Sequence, residues 1–169
     1  MSRNKRIAYR GCLLALALIL SWLESLIPVF YGIPGIRLGI SNIVTVYTLY
    51  RLSAKDACFV SLGRILLSAL LFGNVMTMIY SLAGAACSLI VMLPAKSIPK
   101  LSAMGVSVLG GLFHNVGQVV MAAFLFRTGG LMTILSVLLP IGAAAGAVIG
   151  ILAGILIRRV PIDDGSDEP

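Results

Sequence analysis

Apolar runs long enough to cross a bilayer follow one another along almost the whole chain, and the short breaks between them hold nearly all of its charge. A helical span needs roughly 20 residues, so a chain of 169 residues has room for about six. Soluble domains carry about 25% charged and about 45–50% apolar residues. Here 59% of residues are hydrophobic and 11% are charged, with a mean hydropathy of +1.05. A soluble chain of that composition could not cover its own surface, so lipid must be the solvent for most of it. The sequence therefore predicts an all-α polytopic membrane protein, a six-helix transmembrane bundle. It forms one domain over residues 1–160, with a short acidic tail over 161–169 expected to be disordered.

Proline and glycine punctuate the runs. Helix 1 is expected over about 7–27, an uncleaved first helix stopped by Pro28. The stretch PVFYGIPGIR (28–37) reads as a loop. Helix 2 is expected over about 38–52, too short to cross fully. Helix 3 follows over about 54–72 and helix 4 over about 75–93, ending at Pro94. Helix 5 is expected over about 102–126. Helix 6 is expected over about 131–157, with Pro140 bending or interrupting it.

The thirteen Lys and Arg residues set the orientation. With the N-terminus inside, Arg3, Lys5, Arg6, Arg10, Arg51, Lys55, Lys96, Lys100, Arg158 and Arg159 share the inner side. Only Arg37 and Arg127 lie outside, and Arg64 falls within a helix. This positive-inside pattern puts both termini in the cytoplasm of a cell-membrane protein. It also argues against nucleic acid as a partner, because the net charge of +7 is spread between apolar runs and forms no basic stripe.

Polar residues at membrane depth are the candidates for function, since a charge at mid-bilayer costs about 2.5–3.5 kcal/mol on insertion scales. Arg64 should lie about 15 Å from the inner end of helix 3. His114, Asn115 and Gln118 cluster in GGLFHNVGQ, with His114 and Gln118 four apart on one face. Both groups are expected near mid-membrane, lining a pocket. Glu24, Arg37 and Asn42 are expected near its outer mouth, where Glu24 and Arg37 could pair. An anionic or strongly hydrogen-bonding small molecule arriving from outside would suit such a pocket. The alternative for each of these residues is structural: hydrogen-bonding glue between helices, or a plain ion pair.

Small residues mark packing faces. Gly142, Gly146, Gly150 and Gly154 recur every fourth residue on helix 6, and Ser81, Ala85 and Ser88 share a face of helix 4. Gly11 and Ala15 have the same spacing on helix 1. Cys12, Cys58 and Cys87 form no CxxC pair and are expected to be buried small hydrophobes. No metal site or cofactor is expected. The chain has no GxxxxGK[ST], HExxH or GxSxG, and no buried Asp is expected. Asp163, Asp164 and Asp167 match a DDxxD pattern, but once only and on a polar tail, which does not make a catalytic site.

Four segments, PGIRLGISNIVTVYTLY (34–50), RILLSALLFG (64–73), YSLAGAACSLIVM (80–92) and GGLFHNVGQ (110–118), together resemble the Gx transporter family, also labelled heptaprenyl diphosphate synthase component I. The resemblance spans about residues 7–157 and rests on His114, Asn115 and Gln118 with Arg64 and the LGxxN match at Leu38, Gly39 and Asn42. That family is in turn similar to the substrate-binding S components of energy-coupling factor transporters. The resemblance implies a non-enzymatic six-helix subunit that captures a nutrient or cofactor precursor from outside. It also implies a transmembrane coupling protein and two cytosolic ATPases as partners. Helix 1 would dock the coupling protein, here through Gly11 and Ala15. Some family members are associated with flavin-based electron transfer, so the family also implies an alternative: a non-transporting subunit of a redox or isoprenoid-quinone system.

Overall fold

The computed structural model describes residues 3–26 and 39–160. Six α-helices form the bundle: α1 (Arg3–Ser25), α2 (Asn42–Arg51), α3 (Ala54–Phe72), α4 (Val75–Lys96), α5 (Ala103–Phe126) and α6 (Leu135–Arg159). A 3-10 segment, Gly129–Ile134, leads into α6. By length and composition, α1, α4, α5 and the continuous segment Gly129–Arg159 can each cross a membrane. Arg37 and the acidic tail lie outside the described residues.

Local chemistry sets the helix ends. Ser53 caps α3 by accepting the Asp56 N–H at 3.2 Å. Asn74 and Thr77 form a reciprocal capping box at the start of α4, satisfying two amides that begin a helix without partners. Ser102 caps α5 through the Gly105 N–H. Arg127 closes α5 in the left-handed region at φ 51°.

Several boundaries differ from expectation. Helix α1 starts four residues early, so the basic N-terminal segment is helical. Helix α2 has only 10 residues, about 15 Å of rise. Helix α4 runs through Pro94 to Lys96. Helix α6 continues through Pro140 and is not interrupted there. Pro94 lies in the last turn of α4 and Pro140 in the second turn of α6, and each removes one backbone donor from its helix without ending it. Cys12 is exposed and Cys58 and Cys87 are half-buried, so none is the fully buried hydrophobe expected.

The helices are arranged so that α2 touches α1, α3 and α6, while α5 packs between α4 and α6. Two apolar clusters hold the bundle. One joins Val46 and Leu49 of α2 to Ala57, Met92, Val106 and Ile149. The other joins Val44 and Tyr47 of α2 to Leu13, Ala17 and Val60. Helix α2 belongs to both, and Val44 through Leu49 are buried on every side of it. It is a short internal post, with its neighbours facing the lipid.

Helices α4, α5 and α6 approach closely on small residues. A Cβ on Gly146 would sit 2.7 Å from the Ser107 carbonyl, and one on Gly150 2.6 Å from Met104 Cα. Gly142 meets Asn115 in the same way, while Gly154 has open space around it. The four-residue glycine repeat of α6 is thus a packing face against α5 over three of its four positions. On the other side of α5, a Cβ on Gly117 would be 2.6 Å from the Ala83 carbonyl.

Asp56 corrects the expectation that no aspartate is buried. It is fully enclosed in the first turn of α3. Arg6 donates to its Oδ2 at 2.6 Å and Arg10 pairs with its Oδ1, while Ser53 donates at 2.6 Å. Two guanidiniums from α1 close over a single carboxylate and tie α1 to α3. Nearby, Lys96 donates to the Leu49 carbonyl at 2.6 Å and lies over the Tyr50 ring at 5.3 Å, joining α4 to α2.

Candidate functional site

Arg64 stands eight residues beyond Asp56 on α3, about 12 Å further into the bundle. Its side chain is 3% exposed, so lipid does not surround it. The guanidinium donates to Ser41 Oγ at 2.6 Å and to Ser21 Oγ at 3.3 Å. It thereby joins α3 to α1 and to the entry of α2. Planar, always charged and with several donors, it can hold two hydroxyls and still face a third group.

Glu24 is one turn beyond Ser21 on α1 and is also buried. Its Oε1 accepts the Gly39 N–H, and its Oε2 has no partner among the described residues. Gly39 has φ +87°, a conformation that an L side chain adopts only with strain. That turn aims its N–H at Glu24 and its carbonyl at the Asn42 amide, 2.8 Å away. Asn42 is half-buried beside it, with its side-chain amide against Gly39. The expected Glu24–Arg37 pair involves a residue outside the described set. The partner seen for Glu24 is a backbone amide.

Helix α5 brings two more polar groups to the interior. His114 and Gln118 are both buried, one turn apart, against α4. A Cβ on Gly84 would lie 2.9 Å from both side chains, so only glycine there admits them. The His114 ring makes a backbone hydrogen-bonding contact with Gly84 and lies within electrostatic reach of Arg64. His114 Nδ1 and both amide atoms of Gln118 lack partners among the described residues. Asn115 turns the other way: its amide donates to the Leu138 carbonyl at 2.7 Å, tying α5 to α6.

Four of the sequence candidates, Arg64, His114, Gln118 and Glu24, are therefore buried polar groups of the interior, with Asn42 at its edge. Sequence reasoning missed Ser21 and Ser41, which hold the guanidinium, and Thr45, one turn beyond Ser41, whose buried hydroxyl has no partner among the described residues. Short hydroxyl residues are common in membrane helices as interhelical contacts, so their spacing alone did not mark them. Gly11 and Ala15 lie exposed on α1.

Three described cavities are grooves on the outside of the bundle, lined mainly by aliphatic side chains. Among the described residues no cluster of three or more His, Cys, Asp or Glu could hold a metal.

The model of the family described as heptaprenyl diphosphate synthase component I matches residues 13–156. No curated protein matches the sequence. The fold is similar to a solved structure described as "Structure and mechanism of the S component of a bacterial ECF transporter". The likeness has a TM-score of 0.73 at 20% identity, over 94% of this chain and 96% of the other. At that identity it is a likeness of fold.

Proposed function

Starting from a chain that belongs to the heptaprenyl diphosphate synthase component I family and has the fold of an S component, we propose a membrane substrate-binding subunit. It captures a small anionic or strongly hydrogen-bonding solute. The observation that carries this reading is the set of buried polar atoms in the interior without partners among the described residues: His114 Nδ1, Gln118 Nε2 and Oε1, and Glu24 Oε2. Each buried, unsatisfied polar group costs about 1–3 kcal/mol. A ligand that completes them recovers that energy as affinity. Arg64, His114 and Gln118 hold the solute, and Glu24, Asn42 and Arg37 form its mouth. Asn115 acts by holding α6 against α5.

The positive-inside pattern puts both termini in the cytoplasm, so the mouth opens outward. The role is binding, and energy comes from partner ATPases through a coupling protein that docks on the exposed Gly11 and Ala15. Mass spectrometry of small molecules retained by the purified protein and by Arg64→Ala tests the site. The expected result is a solute present with the wild type and absent from an equally well inserted variant. Identical retained sets in the two would sink the reading.

The family's description favours a second reading, a non-transporting subunit of an isoprenoid-quinone or redox system. Copurification separates the two. Cytosolic ATPases support capture for uptake, and a prenyl synthase or flavoprotein supports the alternative.

A further inference from the structure

The furrow between α1 and α6, floored by α2, carries an inference independent of the interior site. Its inner part, about 230 Å³, is lined by Tyr9, Cys12, Leu16, Val44, Tyr47 and Leu156, among others. A second groove of about 510 Å³ continues along the same seam, on Ile40 and Ile43 of the α2 segment and Val148 and Leu152 of α6. Leu152 and Leu156 are one helical turn apart, as are Ile43 and Tyr47, so the two grooves share one face of each helix. From Ile141 to Val160 the seam runs about 28 Å, the scale of the hydrocarbon core.

The chemistry changes in order along it. The aliphatic lining ends at two hydroxyls, Tyr9 and Tyr47, 2.7 Å apart, with Tyr47 also donating to the Val160 carbonyl at 3.1 Å. Guanidinium groups come next. Arg51 reaches the same carbonyl at 3.3 Å, and Arg159 is exposed just before it, while Arg158 lines a separate groove between α5 and α6. Arg6 and Arg10 flank Tyr9 and share the one carboxylate of Asp56. Among the described residues the only other acid is Glu24, at the far end of α1.

We infer that this furrow is a specific site for an anionic phospholipid of the leaflet at the basic end. The acyl chain lies along the α2–α6 seam, the ester region meets the two tyrosine hydroxyls, and the phosphate meets Arg51 and Arg159. Apolar groove, hydroxyl belt and cationic mouth follow the order of a phospholipid from tail to head. The acidic residues of 161–169 follow Val160 directly in sequence and are the competing counter-charge, so they enter the test.

The test reconstitutes the full chain in nanodiscs of equal phosphatidylglycerol and phosphatidylcholine, then reads the lipids retained after release into detergent by native mass spectrometry. Wild type retains phosphatidylglycerol preferentially. Replacing the two guanidiniums at its mouth (R51Q with R159Q) lowers that preference by about an order of magnitude. Cys12→Trp, at an exposed position in the groove, displaces the lipid while the charges stay intact. Maleimide labelling of Cys12 is slower in phosphatidylglycerol bilayers than in phosphatidylcholine. A chain ending at Val160 keeps the preference. Equal retention of the two lipids by wild type, or equal Cys12 labelling in both bilayers, overturns the inference. So does a preference that arises only after truncation, which makes the tail the occupant.

Discussion

Arg64 of α3 donates to Ser41 at the entry of α2 across 2.6 Å, inside the bundle and out of contact with lipid. A guanidinium so placed joins α3 to α1 and to the entry of α2 and keeps its charge in the interior. Replacing Arg64 with alanine leaves the Ser21 and Ser41 hydroxyls without that donor, a loss of about 1–3 kcal/mol in thermal stability. Retained solute disappears. Arg64→Lys keeps the charge but not the fork, and should recover stability more than binding. Thermal unfolding in detergent beside ligand titration checks both, and a lysine variant with full affinity would show that charge alone suffices.

Gln118 is fully buried, and neither amide atom has a partner among the described residues. Gln118→Met keeps the volume and removes both polar atoms. The ligand-free protein is expected to gain about 1–3 kcal/mol while its affinity for the solute falls. A trade of stability for function of that sign marks a binding residue. A variant that loses stability instead would make Gln118 a structural hydrogen-bonding group.

Asp56 holds Arg6 and Arg10 together on α1. In Asp56→Asn the two guanidiniums keep their proximity and lose their counter-charge. Both are part-exposed, at 43% and 30%, so solvent screens part of the effect. A loss of about 2 kcal/mol is expected, below the range for fully buried pairs. The destabilisation should shrink as salt rises, because screening weakens the repulsion between the two arginines. Melting curves across an ionic-strength series read the sign.

Two glycines of the same four-residue repeat, two turns apart, predict opposite outcomes. Gly146→Leu forces α5 and α6 apart, since even its Cβ would be 2.7 Å from Ser107 O and 2.8 Å from Val108 Cα. Overpacking of this kind costs about 1–3 kcal/mol or more. Gly154→Leu meets nothing within 4 Å at Cβ and should leave the melting temperature unchanged. Equal losses at the two sites would contradict the packing face described above.

Much of this architecture was legible in the residues. The apolar runs located all six helices, because each must satisfy its own backbone in lipid. The serine and asparagine caps at Ser102 and Asn74 sit where the runs begin. The isolated polar residues Arg64, His114 and Gln118 stood out because burying them in lipid is expensive. Asp56 was misjudged because it follows Lys55 at a helix start and reads as solvated. Only the approach of α1 to α3 encloses it. Asn115 shares its cluster with His114 and Gln118 in the sequence, yet it is rotated about 100° from its neighbour on the helix. It therefore serves α6, while the other two serve the interior.

The sequence by itself determined a chain of helices solvated by lipid, because composition decides what solvent can surround a surface. It also singled out which side chains had to be sheltered. Tertiary structure decided what shelters them: Ser21 and Ser41 around Arg64, the Gly39 amide on Glu24, Gly84 beneath His114 and Gln118. Those pairings join residues far apart in the chain, and they depend on helix rotation and depth, which hydrophobic periodicity within one segment does not specify. The same is true of the short α2, whose length says that it cannot span. Contacts on every side make it the post around which the other helices stand.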